Sequence, residues 1–375
     1  MILQVFLNFL YLGCISFGGP AAHIGYFRRV FVEQKSWLSD QQFASHLALC
    51  QFLPGPSSSQ LGFAIAYQRG GIASAIAAFL GFTLPSFLLM YALAAWHSQF
   101  AVTGWQHGVV SGLKLLAVVV VADAIWTMSK QFCSQRIGQL LAVFSAVVLT
   151  FFPYAVLQWS LMVGAALWMA QRQPHSNPAV MALPKMTKWL IGLFLALLLL
   201  CFVSPQSVFA IFYRAGSLVF GGGHVVLPLL QNFVDGTLSD DQFLLGYAAA
   251  QAMPGPMFSL SSYLGAAMHP EAALTYALIA CVGVFLPGFL LVLAFSSSWQ
   301  ELSLQPRLQA AVAGVNAVAV GMLAAAWWNP VLSSAPHDLL AIFTAVLGLL
   351  VLRSQHVPTA LIVLAFAGFG VLVYG

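Results

Sequence analysis

The chain has 375 residues, 61% of them hydrophobic and 6% charged, with a net charge of +4 and a mean hydropathy of +0.92. Soluble domains carry about 25% charged residues, so this composition excludes a soluble globular enzyme and predicts an all-α, polytopic membrane protein. The thirteen basic and nine acidic residues are scattered singly, which excludes the basic stripe of a nucleic-acid-binding protein.

At roughly 20 apolar residues per span, residues 1–19 read as the first helix, and the absence of a charged leader or cleavage site makes it a retained span. A polar stretch over 20–40 and a broken helix over 41–68 follow, then spans at 71–96, 104–126, 137–152 and 154–170. Residues 171–188, with Pro174, Pro178 and Pro184, form a polar linker that leads into an apolar run over 189–203. The pattern then recurs, with a helix at 206–222, a broken helix at 240–268, and spans near 271–295, 307–328, 337–352 and 357–375.

The recurrence extends to the letters. Phe17-Gly18-Gly19 returns as Phe220-Gly221-Gly222, His23 as His224, Leu38-Ser39-Asp40 as Leu238-Ser239-Asp240, and Leu84-Pro85 as Leu286-Pro287. Between 38 and 66 a constant offset of 200 gives 12 identities in 29 positions. The chain therefore divides into a first repeat (1–170), a linker with a connecting helix (171–205) and a second repeat (206–375), with about 11–13 transmembrane segments in all. If the broken helices cross the bilayer, the lone helix at 189–203 inverts the second repeat and the N-terminus is cytoplasmic. If they are re-entrant, the two repeats run parallel. The inverted arrangement is the expectation, because it is a common way to build alternating access.

The breaks carry the functional reading. Pro54-Gly55-Pro56 and Pro254-Gly255-Pro256 cannot lie inside a continuous helix, since each proline removes a backbone donor and clashes with the preceding turn. At membrane depth an irregular backbone survives only where protein buries it or where it lines a polar cavity. The helix that restarts after Pro56 opens with Ser57, Ser58 and Ser59, favoured N-cap residues. Their hydroxyls, the free amides and the positive end of the helix dipole outline an anion site. The second break, with Met257 and Phe258 before Ser259, is more apolar.

Other candidates carry two readings each. Gln51 and Gln251 could bind substrate or the freed carbonyls. Gly18, Gly19, Gly221 and Gly222 suit close packing or gating, and His23 and His224 suit a structural hydrogen bond or a proton carrier. Intramembrane charges are functional by default, which singles out Lys114 for substrate and Asp123 and Arg214 for coupling or gating; snorkelling from a helix end is the alternative for Arg214. Lys114 and Asp123 are nine residues apart and so face opposite ways. Asp40 and Asp240 read first as helix-capping acids. Cys14, Cys50, Cys133, Cys201 and Cys281 have no disulfide or zinc spacing. There is no phosphate-binding loop, GxGxxG, HExxH or GxSxG motif, and no cofactor or metal site is expected.

The ordered set Phe17-Gly18-Gly19-Pro20, His23, Trp37-Leu38, Gln51, Pro54-Gly55-Pro56, Gly70-Gly71 and Leu84-Pro85, with its copy, resembles the chromate ion transporter family in its long, two-domain form. The resemblance implies a multi-pass carrier of the bacterial inner membrane that exports chromate, uses the proton-motive force and confers chromate resistance. Sulfate, a tetrahedral dianion of similar size, is the natural competitor, and protons are the implied coupling ion. Replacement of Ser-Ser by Met-Phe after the second break departs from equal roles for the two halves. A passive anion channel, a carrier of another anion and a membrane-embedded enzyme are the alternatives. The enzyme would need a nucleophile and base together, and the sequence offers no such pair. A homo-oligomer is compatible with the sequence.

Overall fold

The computed structural model describes residues 1–97, 104–173, 184–220, 230, 234, 237–354 and 356–375, and among them every regular element is helical. In chain order these are α1 (Ile2–Ile15), α2 (Gly19–Phe27) with a π-helical extension (Arg28–Gln34), α3 (Asp40–Phe52), α4 (Ser57–His97), α5 (Trp105–Phe132), α6 (Arg136–Phe151), α7 (Ala155–Gln171) and α8 (Lys185–Val203). The second half contributes α9 (Val208–Leu218), α10 (Asp240–Ala252), a 3-10 turn (Met257–Ser259), α11 (Leu260–Met268), α12 (Ala273–Phe295) and the short α13 (Trp299–Leu302). Last come α14 (Pro306–Ala326) with a π-helical end (Trp327–Leu332), α15 (Leu339–Ser354) and α16 (Thr359–Tyr374).

The duplicated Leu-Ser-Asp motif starts α3 and α10 in the same way. The Ser39 hydroxyl accepts from the Gln42 amide at 3.2 Å while the Gln42 side chain accepts from the Ser39 amide at 2.9 Å, and Ser239 and Gln242 repeat this box at 3.3 and 3.2 Å. Serine is the cap in each copy, and Asp40 and Asp240 occupy the first turn, where a negative charge suits the helix dipole. Asp40 also pairs with Arg28 at 2.8 Å.

Both broken helices are hairpins, contrary to the crossing expectation. His46 on α3 lies 2.5 Å from Gln68 on α4, and the Arg69 guanidinium sits 5.4 Å from the Trp37 ring. A rod rising 1.5 Å per residue would hold His46 and Gln68 about 33 Å apart. In the second copy a Cβ on Gly246 would run into the Tyr263 ring, which a rod would place about 25 Å away. The polar stretch at 20–40 contains another hairpin arm. Phe9 on α1 stacks on Phe31 with ring centroids 4.8 Å apart, so α2 and its extension run back along α1 from a tip at Phe17-Gly18-Gly19.

Helix α4 itself reverses at Gly70-Gly71, where φ is −162° and then +69°. Phe9 approaches the Cβ positions of both Gly62 and Gly81, at 2.8 and 3.3 Å, whereas a straight helix would separate those glycines by about 28 Å. The Met1 side chain reaches within 2.6 Å of the Cβ position of Gly70, so the chain start and this reversal share one end of the bundle, hereafter the first end. The second part of α4 runs to the opposite end, where Trp96 and Trp105 lie 6.5 Å apart and α5 begins its return.

The second repeat starts from that opposite end. Asp241, at the start of α10, pairs at 2.6 Å with Lys114, nine residues into α5. Starting from the first end would place it near Lys130, sixteen residues or about 24 Å farther along α5. The repeats are therefore inverted although the Pro-Gly-Pro helices turn back. The hairpins α1–α2 and α3–α4 cancel in the crossing count, leaving the second part of α4, α5, α6, α7 and α8, an odd number. Taking the polar stretch at 20–40 as a loop had tied inversion to crossing.

Among the described residues five helical stretches are long and apolar enough to cross a membrane: Ser57–Trp96, which contains the reversal at Gly70-Gly71, His107–Phe132, Lys185–Val203, Pro270–Phe295 and Pro306–Leu332. The expected 11–13 segments divide into these and shorter apolar helices. The halves interleave: α5 packs on α15 and α16 of the second repeat, and α14 packs on α6 and α7 of the first.

Candidate functional site

The two Pro-Gly-Pro tips meet near the middle of the bundle, and each is fastened to the other repeat. Gly55, with φ +126°, donates its amide to the Val219 carbonyl at 2.7 Å, and Gly255, with φ +90°, donates to the Ser16 carbonyl at 2.9 Å. Only glycine adopts such angles without strain. Val219 and Ser16 immediately precede the two copies of the Phe-Gly-Gly motif, so each Pro-Gly-Pro tip docks on the Phe-Gly-Gly end of its counterpart.

Around the first tip the polar side chains are buried and engaged. The His23 ring, 1% exposed, has Nε2 3.2 Å from the Ser16 carbonyl and Nδ1 3.3 Å from the Ser58 hydroxyl. Because a carbonyl only accepts, Nε2 carries the hydrogen, and in the neutral ring Nδ1 accepts from Ser58. The fully buried Gln60 donates from Nε2 to the Pro54 carbonyl at 2.9 Å and to the Gly288 carbonyl at 3.2 Å, strapping the first tip to α12. Ser59 is buried, and its hydroxyl has no partner among the described residues.

A cavity of about 830 Å³ opens beside this tip, a size typical of small-molecule sites. Phe17, Gly18 and Pro20 line it from the first hairpin, Gln51, Gly55 and Ser57 from the break, Asp123, Thr127 and Gln131 from α5, and His356 and Thr359 from the turn between α15 and α16. Three helices begin on its wall: α2 after Gly18, α4 at Ser57 and α16 at Thr359. Neither α2 nor α16 has a side-chain cap. By contrast α15, which starts away from the cavity, is capped by Asp338. That carboxylate accepts from the Tyr374 hydroxyl at 2.7 Å and the Ala341 amide at 2.8 Å, which together hold it below the usual carboxylate range. At about half a positive charge per helix N-terminus, the three ends offer an anion roughly one and a half charges, and the uncapped ends of α2 and α16 add unclaimed amides.

The second tip is closed. Met257 and Phe258, 3% and 4% exposed, fill the positions of Ser57 and Ser58. Gln251 donates to the Met257 sulfur at 3.0 Å, and Ser259 donates to Ser86 at 2.6 Å beside the buried Pro256. The structure thus separates the residues singled out from the sequence. Gly18, Gln51, Gly55, Ser57 and Asp123 share the cavity. Pro54, Pro56, Ser58, Ser59, Gly19 and His23 shape it from behind, whereas Gln251, Pro254, Gly255 and Ser259 belong to the closed tip. Lys114 is paired with Asp241 away from the cavity, and the Arg214 guanidinium folds back to the Ala210 and Pro205 carbonyls near its helix end. Gly221, Gly222 and His224 lie outside the described residues.

Residues that sequence reading missed include Gln60, Gln131, Arg353, His356 and Thr359. Only Gln60 left a signal, as the polar position whose copy is Leu260. Arg353 reaches Asp123 at 3.8 Å, and its guanidinium lies 4.8 Å from the Trp126 ring. Among the described residues no group of three or more His, Cys, Asp or Glu could hold a metal ion.

A helical membrane protein built of two inverted repeats, each with a broken helix and with a cavity at the first break, has the architecture of a transport protein. Comparison with known sequences makes this specific: the chain belongs to the chromate transporter family, whose model matches residues 3–205 and again 206–371. It is 29% identical to a chromate transport protein of Cupriavidus metallidurans over 99% of this chain and 93% of that protein. It is 27% identical to a probable chromate transport protein of Synechococcus elongatus, over 99% and 95%, and 28% identical to a chromate transport protein of Pseudomonas aeruginosa, over 86% and 79%. No solved structure matches the chain.

Proposed function

We propose that the protein exports chromate across a bacterial inner membrane, driven by the proton-motive force, and that the cavity beside the first Pro-Gly-Pro tip is its substrate site. The observation that carries this reading is the convergence of three helix N-termini on one central cavity. A dianion cannot enter a low-dielectric interior without such compensation, and the relatives' names supply the particular oxyanion. Sulfate, with the same shape and charge, competes in this reading. Protons are the coupling ion, with Asp123 the one carboxylate on the cavity wall among the described residues. Residues 1–170 and 206–375 act as the two halves and 171–205 joins them.

The hairpin topology also orients the chain. Of the thirteen Lys and Arg residues, ten (Arg28, Arg29, Lys35, Arg69, Lys130, Arg136, Arg172, Lys185, Lys188 and Arg307) fall at the first end. Arg353, which shares the Trp126 ring with Lys130, lies beside them, whereas Lys114 and Arg214 do not. By the positive-inside rule the first end, with Met1, faces the cytoplasm. An inside-negative potential then drives a dianion outward with about 4.6 kcal/mol per 100 mV.

The test is chromate flux in proteoliposomes with an imposed potential, with and without a pH gradient, and with sulfate in competition. Flux that responds to the pH gradient and is inhibited by sulfate supports the reading. Flux that follows the substrate gradient and potential but ignores pH marks a passive anion channel, and absence of anion flux overturns the assignment.

A further inference from the structure

Beside the cavity one pairing of charges is unfinished, between Asp123, which lines it, and Arg353, which stands next to Asp123 without lining the cavity itself. Asp123 stands on the wall with its side chain 30% exposed, and Arg353 approaches it from the other repeat with its side chain 41% exposed. Their separation of 3.8 Å is beyond hydrogen-bond length. Among the described residues the guanidinium donates no hydrogen bond and is held only against the face of Trp126, so its planar fork of donors is unspent. Lys130 shares the Trp126 ring, at 4.7 Å, but carries a point charge without a planar fork, and Lys114, away from the cavity, is committed to Asp241 at 2.6 Å.

We propose that Arg353 is the cation that receives the anion, and that Asp123 is the counter-charge the anion displaces. This rests on the cavity being the substrate site. The uncapped N-terminus of α16 begins six residues after Arg353, so a tetrahedral oxyanion at this wall meets the guanidinium fork and the free amides of Thr359 and Ala360 together. Arg suits this task better than Lys because two of its N–H groups match two oxygens of one oxyanion. In the resting cavity the loose contact with Asp123 offsets the charge of Arg353 without consuming its hydrogen-bond donors. The substrate therefore competes with one carboxylate through space and breaks no hydrogen bond to enter.

The two substitutions have opposite expected signs, which separates this role from a structural one. Sulfate and chromate binding is measured by titration calorimetry on purified protein in nanodiscs at low salt, with thermal melting run alongside. Arg353→Gln is expected to weaken both anions about tenfold or more, the scale of a lost charge-assisted hydrogen bond. Arg353→Lys, which keeps the charge without the fork, falls between. Asp123→Asn, by removing the competitor, is expected to tighten both several-fold. Arg353→Gln binding as wild type, or Asp123→Asn weakening binding as Arg353→Gln does, overturns the proposal. If Gly55→Ala abolishes binding while Arg353→Gln does not, the cavity assignment stands and the role of Arg353 falls. If neither variant changes binding, both fall.

Discussion

Replacing Gly55 by alanine tests the central geometry with a single methyl group. The φ of +126° is closed to L-residues at a cost of roughly 1–2 kcal/mol. The new Cβ would lie 2.9 Å from Gln60 Nε2 and 3.0 Å from the Gly288 Cα. Gln60 can swing aside only by leaving the Pro54 and Gly288 carbonyls, and a backbone Cα cannot yield cheaply, so overpacking adds about 1–3 kcal/mol. Together these give about 2–5 kcal/mol against the docked tip, enough to shift a docked-to-undocked ratio by some 30-fold to several thousand-fold. Gly71→Ala is the internal control: its φ is +69°, nothing lies within 4 Å of the added methyl, and only the backbone cost remains. The assay is chromate uptake into everted vesicles, with insertion checked by the monodisperse fraction in detergent. Gly55→Ala is expected to lose transport while inserting, and Gly71→Ala to keep most of it. A Gly55→Ala protein with wild-type rate and apparent affinity would refute the argument that the docked tip builds the site.

Further expectations follow from the hairpins and their partners. With the native cysteines replaced, His46→Cys and Gln68→Cys should be joined by a short bifunctional thiol reagent within one chain; failure to join while each is labelled singly would restore the crossing arrangement. Lys114→Gln and Asp241→Asn should each lower stability by about 1 kcal/mol, the scale of a partly exposed pair, and leave the apparent affinity for chromate unchanged. The exchanged pair Lys114→Asp with Asp241→Lys should recover part of the loss, and a raised KM in either single variant would place Lys114 at the substrate. Met257→Ser with Phe258→Ser should destabilise the protein by about 3 kcal/mol or more through lost packing without adding a second bound anion per chain, as read by calorimetric stoichiometry.

Much of this architecture was legible in the letters. The offset of 200 announced the duplication, the paired Leu-Ser-Asp motifs marked two helix starts, although the cap is the serine and not the aspartate, and two prolines around a glycine required a break. Legibility stopped at long range. Nothing local in Arg28-Arg29-Val30-Phe31 tells whether those residues form a loop or the returning arm of a hairpin, because the deciding contact is Phe31 on Phe9, 22 residues earlier. The same limit hid Arg353, which becomes part of the site only because α15 of one repeat packs on α5 of the other. Ser57 and Met257 showed in advance that the two tips differ. That the difference is an open cavity against a sealed tip depends on neighbours no alignment of the halves contains.

The crossed bonds from Gly55 to Val219 and from Gly255 to Ser16 also bear on ancestry. Neither half can complete its own tip, so an unduplicated forebear would have had to assemble from two oppositely oriented copies before fusion made the partnership permanent. Once both halves shared one chain, drift could silence one pocket, as Met257 and Phe258 have done, while its scaffold remained indispensable to the other.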